Sequence, residues 1–170
     1  MSIPASLVIR LIQDDEIEAV STLTVESYTS AYEINDRYRT ELGQVAERVS
    51  KQQVWVARDA QTDELLGTVS TPLPGEFLND YPQPGDMDFR LLATTPAARG
   101  RGVGKALVKH CAQLARERGA SRLVLHTNAE MHLAVGLYTS MGFARLSDIE
   151  DDFPYPPNIW YPVHVYGMVL

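Results

Sequence analysis

Two hydrophobic periods alternate along this chain, one of strands and one of helices. Val8 to Leu11 is a short apolar run suited to a first strand, and Asp14 offers a start for the helix behind it. From there to about Ser50 the spacing is helical, with Ile17, Val20, Leu23 and Val25 in one group and Leu42, Val45 and Val49 in a second. Between the groups stand Tyr28, Tyr32, Glu33, Asp36 and Tyr38, which either pack in a helix corner or line a ligand mouth. Val54 to Arg58 and Leu65 to Thr71 favour strands and flank a polar loop, the pattern of a hairpin.

Pro72 to Asp86 is rich in proline, glycine and acids and reads as a long surface loop. Asp88 to Thr94 reads as one strand. The strongest helix is Gly102 to Arg118, whose apolar face is Val103, Leu107, Val108, Cys111, Leu114 and Ala115 and whose stop is Gly119. Ser121 to Thr127 is a strand. Leu133, Leu137 and Met141 mark a helix that closes at Gly142, and Phe143 to Leu146 and Val163 to Leu170 supply the last strands, with an irregular acidic and then aromatic segment between them. Strands interleaved with helices predict an α/β fold, a mixed central sheet flanked by helices.

Size and charge narrow the partners. With 170 residues, 45% of them hydrophobic, the chain suits one domain spanning residues 1–170. Cys111 is the sole cysteine and falls on the apolar face of its helix, so no disulfide framework exists and a cytoplasmic setting is expected. No basic leader or uninterrupted membrane span occurs, so no membrane association is expected. Fifteen Lys and Arg against 22 Asp and Glu give a net charge of -7, which argues against nucleic acid. Arg99, Arg101 and Lys105 nevertheless crowd one short turn, which suits a small phosphorylated ligand. His126 and His132 lack metal-site spacing and no His-Glu-x-x-His occurs, so no metal is expected.

That turn, Arg99-Gly100-Arg101-Gly102-Val103-Gly104-Lys105, joins a strand to the strongest helix. Alternate glycines let the backbone approach a ligand closely, and the first N–H groups of a helix have no internal acceptor, so a pyrophosphate fits there. The alternative is that Gly100, Gly102 and Gly104 serve only helix–sheet packing. An ATP-type loop is excluded, because Arg99 stands where its first glycine belongs and Ala106 where its hydroxyl belongs. The dinucleotide fingerprint also fails, since Lys105 or Leu107 falls at its third glycine.

Arg99, Gly102 and Gly104 match the motif of Gln or Arg, two residues, Gly, one residue, Gly or Ala. Ala134, Leu137, Tyr138, Met141, Gly142 and Phe143 match a second signature in the expected order. On these residues the chain resembles the GNAT superfamily of N-acetyltransferases, most strongly from Asp86 to Arg145. The resemblance implies a single-domain GNAT-like fold and acetyl-CoA as acetyl donor. It implies that the pyrophosphate sits on the amides of Gly100, Arg101, Gly102, Val103, Gly104 and Lys105 with Arg99 beside them, and that the pantetheine arm runs along Leu92, Ala93 and Thr94. The family commonly has Asn where this chain has Met131, so that contact is absent or comes from Asn128.

The resemblance further implies direct attack by an amine through a tetrahedral intermediate. Tyr138 holds the family position of the acid that protonates the departing thiolate, and a phenol is a workable donor there. Asp88 stands about where a carboxylate base falls, and His126, which titrates near neutrality, is its rival. A strand amide near Leu92 is expected to polarise the carbonyl. The acceptor is expected to be a small-molecule or peptide amine, drawn by Asp148, Glu150, Asp151 and Asp152 and by Tyr155, Trp160 and Tyr161. A non-catalytic acyl-CoA-binding sensor or an interaction domain is the alternative, and exposed strand edges permit a homodimer.

Overall fold

The computed structural model describes residues 6–151 and 163–170. The chain runs β1 (Leu7–Leu11), a 3-10 turn (Asp14–Glu16), α1 (Ile17–Ala31), α2 (Asp36–Leu42), α3 (Val45–Val49), β2 (Gln53–Asp59) and β3 (Leu65–Thr71). It continues through β4 (Asp86–Asp88), β5 (Arg90–Thr94), a second 3-10 turn (Pro96–Ala98), α4 (Val103–Glu117), β6 (Arg122–Thr127), α5 (His132–Ser140), β7 (Ala144–Arg145), α6 (Ser147–Asp151) and β8 (His164–Val169). The region before Ser50 therefore holds three helices, and part of the acidic segment after Leu146, expected to be irregular, forms α6.

Alternation along β2 sets the layers. Val54 and Val56 join a core with Val20 of α1 and Val45 of α3, while Ala57 and the partly buried Trp55 pack with α4 on the opposite face. The α4 contribution is the apolar stripe its spacing predicts, with Val103, Leu107, Val108, Cys111 and Ala115 all buried. Gly67 of β3 brings this helix close: a Cβ there would meet Leu107 Cδ1 at 2.9 Å and Val103 Cγ1 at 3.0 Å.

Among the described residues the expected mixed sheet is split into two four-stranded sheets, ordered β1-β2-β3-β5 and β4-β6-β8-β7. The expected strand from Asp88 to Thr94 is correspondingly two strands. β4 pairs parallel with β6, and β5 pairs antiparallel with β3. Phe89 stands at the fork with its N–H still on Val124 O at 3.3 Å. Beyond it the backbone bulges. Thr68 faces Ala93 and Ser70 faces Arg90, so two residues of β5 oppose Val69, and Leu91 sits at φ 54°. A left-handed leucine costs about 1–2 kcal/mol, which its burial in the core offsets. β5 and β6 diverge from this point, and the opening between them holds the site.

Candidate active site

Both helices that border the fork end in the same way, and the second ending places Tyr138. After α5, Gly142 adopts φ 96°, the Phe143 N–H donates to Tyr138 O at 3.1 Å, and the Gly142 N–H donates to Thr139 O at 3.2 Å. This double bond pattern with a glycine in the left-handed region is the Schellman stop, and it brings Phe143 onto Tyr138, ring centroids 5.6 Å apart. Phe89, the residue at the fork, packs edge-on against the same tyrosine at 5.9 Å. Tyr138 is 6% exposed, its hydroxyl makes no hydrogen bond among the described residues, and burial pushes its phenol pKa up.

The turn into α4 is built to leave donors open. Gly100 at φ 76° and Gly102 at φ 82° hold conformations that a side chain would strain, and each faces open space. Among the described residues the N–H groups of Gly100, Gly102, Val103, Gly104 and Lys105 have no internal acceptor, whereas the Arg101 N–H is used on Ala98 O at 3.2 Å and the Ala106 N–H on Gly102 O at 3.0 Å. Free amides at the start of a 15-residue helix form an anion cradle. Gly104 also permits close packing, since a Cβ would meet Leu137 Cδ2 at 3.3 Å. Gly100 and Gly102 thus leave open space at the turn, while Gly104 lets α4 approach α5.

Cradle and tyrosine open on one cavity of about 430 Å³. Leu92, Ala93, Thr94, Arg99, Gly100, Gly102, Val103, Gly104, Lys105, His126, Asn128 and Tyr138 all line it. β5 is the outer strand of its sheet, so its far edge faces the opening. The Thr94 N–H on that strand is spent on Ser27 Oγ at 3.3 Å. Asn128 keeps its side-chain oxygen on the Glu130 N–H at 2.9 Å, and Met131 lines the same wall.

Two expected site residues lie elsewhere. Arg101 does not line the cavity and faces the Asp59 carboxylate at 3.9 Å. Asp88 does not line it either. Its fully buried carboxylate accepts from the N–H of Leu78 at 3.0 Å, from the N–H of Asn79 at 2.9 Å and from Asn79 Nδ2 at 3.0 Å, fastening the 72–85 loop to β4. Burial raises its pKa and these donors oppose the rise. Asp88 is legible as an acid on the strand read from Asp88 to Thr94, but that run forks at Phe89 and leaves Asp88 on β4. Arg99 does line the cavity, yet one terminal nitrogen is committed to α1, to Ser27 O at 2.7 Å and Ser30 Oγ at 2.9 Å.

A second cavity of about 620 Å³ adjoins the first, and Tyr32, Tyr38, Arg90 and His126 line both. Residues of the α1–α2 corner therefore do two things. Tyr28 packs tilted against Tyr32 at 6.2 Å and edge-on against Tyr38 at 6.0 Å, and the Tyr32 hydroxyl accepts the Ala134 N–H at 3.3 Å, tying α1 to α5. His126 packs against Tyr81 at 5.5 Å, and its Nδ1 is buried without a hydrogen-bond partner. Burial, and then the charge of Arg90, pull its pKa down to about 4, so the ring is neutral at physiological pH. Arg90 is not singled out by the sequence because the carboxylate it bonds, Glu41, comes from distant α2.

The described acids of the segment after Leu146 line neither cavity. Asp148 is exposed away from both, and Glu150 is held by Arg145 at 2.8 and 2.9 Å and by the Val165 N–H at 2.8 Å. The Asp151 side chain, Asp152, Tyr155, Trp160 and Tyr161 lie outside the described residues. Among the described residues no helix is long and apolar enough to cross a membrane.

Comparison with known proteins identifies the family and the fold. The acetyltransferase (GNAT) family profile matches residues 17–143. The peptidyl-lysine N-acetyltransferase YjaB of Salmonella typhimurium is 33% identical over 134 residues, 76% of this chain and 79% of that protein. N-acetyltransferase 8B of Rattus norvegicus is 33% identical over 108 residues, 62% of this chain but 43% of the rat protein, so the chain spans less than half of that relative. The PaiA N-acetyltransferase of Thermoplasma acidophilum, solved with coenzyme A, shares the fold at a TM-score of 0.71 with 13% identity, over 97% of this chain and 99% of that one. Because the matched stretch runs from Ile17 to Phe143, through both the amide cradle and the helix that carries Tyr138, the chain belongs to the GNAT family of acetyltransferases.

Proposed function

We propose that this protein transfers an acetyl group from acetyl-CoA to a primary amine of a small molecule or peptide by direct attack. The observation that carries the reading is the set of amides without an internal acceptor among the described residues, those of Gly100, Gly102, Val103, Gly104 and Lys105, at the rim of the same cavity that Tyr138 lines. When bound, acetyl-CoA supplies an activated acyl group and a thiol leaving group. The amides of Gly100, Gly102, Val103, Gly104 and Lys105 hold its diphosphate, with the Lys105 ammonium beside them, and the free edge of β5 at Leu92 and Ala93 holds its arm. Arg99 acts chiefly by clamping α1 to the turn.

Tyr138 keeps a proton ready for the departing sulfur. Burial raises the pKa of a phenol and of a thiol alike, so the two stay matched inside the cavity. His126, lining both cavities, is the group placed to take the proton that the amine nitrogen sheds as its bond to carbon forms, and it does so as a weak base, because burial and Arg90 disfavour its protonated ring; Asp88, used up on Leu78 and Asn79, has no such access. A fixed N–H of the bulged strand near Leu92 stabilises the negative charge on the carbonyl oxygen. The Salmonella relative's name, a peptidyl-lysine acetyltransferase, supports an amine as acceptor. Thiol release from acetyl-CoA, followed with mass analysis of each amine offered, tests the proposal. Acetylated amine is the expected product, and cofactor binding with no thiol release for any amine would leave a sensor instead.

A further inference from the structure

The cavity next to the proposed reaction centre has an unusual inner wall. Arg90 leaves β5 at the fork, lines both cavities, and is bonded to one carboxylate, Glu41, at 3.3 Å. That is longer than a normal charge-assisted contact of about 2.7–2.9 Å. Its Nε is buried without an acceptor. A second guanidinium, Arg48, lies close enough that Arg90 adds to the effect of burial in pulling its pKa down to about 10. Arg48 spends both terminal nitrogens on the carbonyls of Glu41 and Leu42 at 2.8 Å, and its Nε is also unmet.

Two guanidiniums thus stand near one carboxylate, Glu41, which bonds only Arg90 of the two and is itself partly exposed, so the half-buried Arg90 is poorly matched, and a buried charge without its match is costly. Among the described residues the other charged groups lining the second cavity are Glu33, Arg37 and Glu130, all exposed, with Tyr32, Tyr38, His126 and His132 completing the titratable set. Exposed charges are screened by water, so the outer wall does not cancel the inner one. The fork of donors on a guanidinium fits the two oxygens of a carboxylate. A polyamine would bring more positive charge against Arg90. A lysine side chain within a peptide would leave it unmatched.

Building on the acyl-transfer reading above, we infer that Arg90 is a carboxylate-binding residue and that the acceptor is an amine bearing its own carboxylate, an α-amino acid in form. The carboxylate rests on the Arg90 fork, the amine faces the thioester beside His126, and the side chain extends toward Glu33 and Glu130.

The test pairs free L-amino acids with their carboxamides and includes aminoalkylphosphonates and polyamines, all with acetyl-CoA. The free acid is expected to exceed its amide in kcat/KM by at least about tenfold, the worth of one charged hydrogen bond. Arg90→Gln brings that ratio close to one, and Arg90→Lys leaves it between. In parallel, N-acetyl amino acids and their amides are titrated calorimetrically into the CoA-loaded protein, with the acid expected to bind more tightly. Amides or polyamines equal to or better than the acids, or a phosphonate preferred to the carboxylate, would overturn the assignment. If no amine releases thiol, the transferase reading fails on its own, and the calorimetric pairs still decide the Arg90 site.

Discussion

Asn79 holds Asp88 with two donors, its backbone N–H at 2.9 Å and its side-chain Nδ2 at 3.0 Å, both on the same carboxylate oxygen. A carboxylate so engaged is an anchor for the loop above it. Asp88→Asn puts an amide nitrogen among these donors and should cost about 1–3 kcal/mol, lowering Tm by several degrees while kcat stays close to wild type. Thermal melts and steady-state kinetics check it, and a collapsed kcat with an unchanged Tm would return Asp88 to the role of base.

Tyr138→Phe keeps the ring packing against Phe89 and Phe143 and removes only the hydroxyl. Cofactor affinity by calorimetry should therefore hold, and kcat should fall about 10²-fold or more, the usual contribution of a positioned acid. Equal kcat in the two proteins would remove the proton-transfer role.

His126 should titrate near pH 4 when its ring protons are followed by NMR, well below the usual value of about 6.5. Arg90→Gln removes a neighbouring cation that disfavours the protonated ring, so the midpoint should rise. A midpoint near 6.5 in the wild type, unmoved by the substitution, would mean that the ring is neither buried nor under the field of Arg90.

Away from the site, Glu16 gathers Arg10 at 2.8 Å and Arg58 at 2.7 Å, and its pKa is lowered to about 2, first by the bond from Arg10. A carboxyl whose folded pKa lies below its unfolded one adds stability that is complete above the unfolded value near 4.5 and fades as pH falls toward about 2. Glu16→Gln should remove on the order of 2–3 kcal/mol at pH 7 and little at pH 2. Denaturant melts at the two pH values check this, and an equal loss at both would show that packing carries the effect.

Much of the site was legible because its signals are local. Gly142 and Phe143 spell out a helix stop, and the glycines from Gly100 to Gly104 spell out open amides at a helix start. What stayed hidden depends on distant partners. Nothing in the run from Asp88 to Thr94 marks the fork, since Asp88 and Arg90 pair with strands from opposite parts of the chain and the bulge at Leu91 exists only against Val69. Arg99 and Arg101 looked alike in sequence, and only the fold gives one to α1 and the other to Asp59. Glu150 looked like bait for a cationic acceptor, and its bonds to Arg145 and Val165 turn it inward.

The central claim concerns main-chain donors, and amide resonances report on them directly. Titrating CoA into isotopically labelled protein should shift the N–H signals of Gly100, Gly102, Val103, Gly104 and Lys105 more than those of any other segment, with saturation. Binding that leaves these signals in place, or no binding at all, would contradict it.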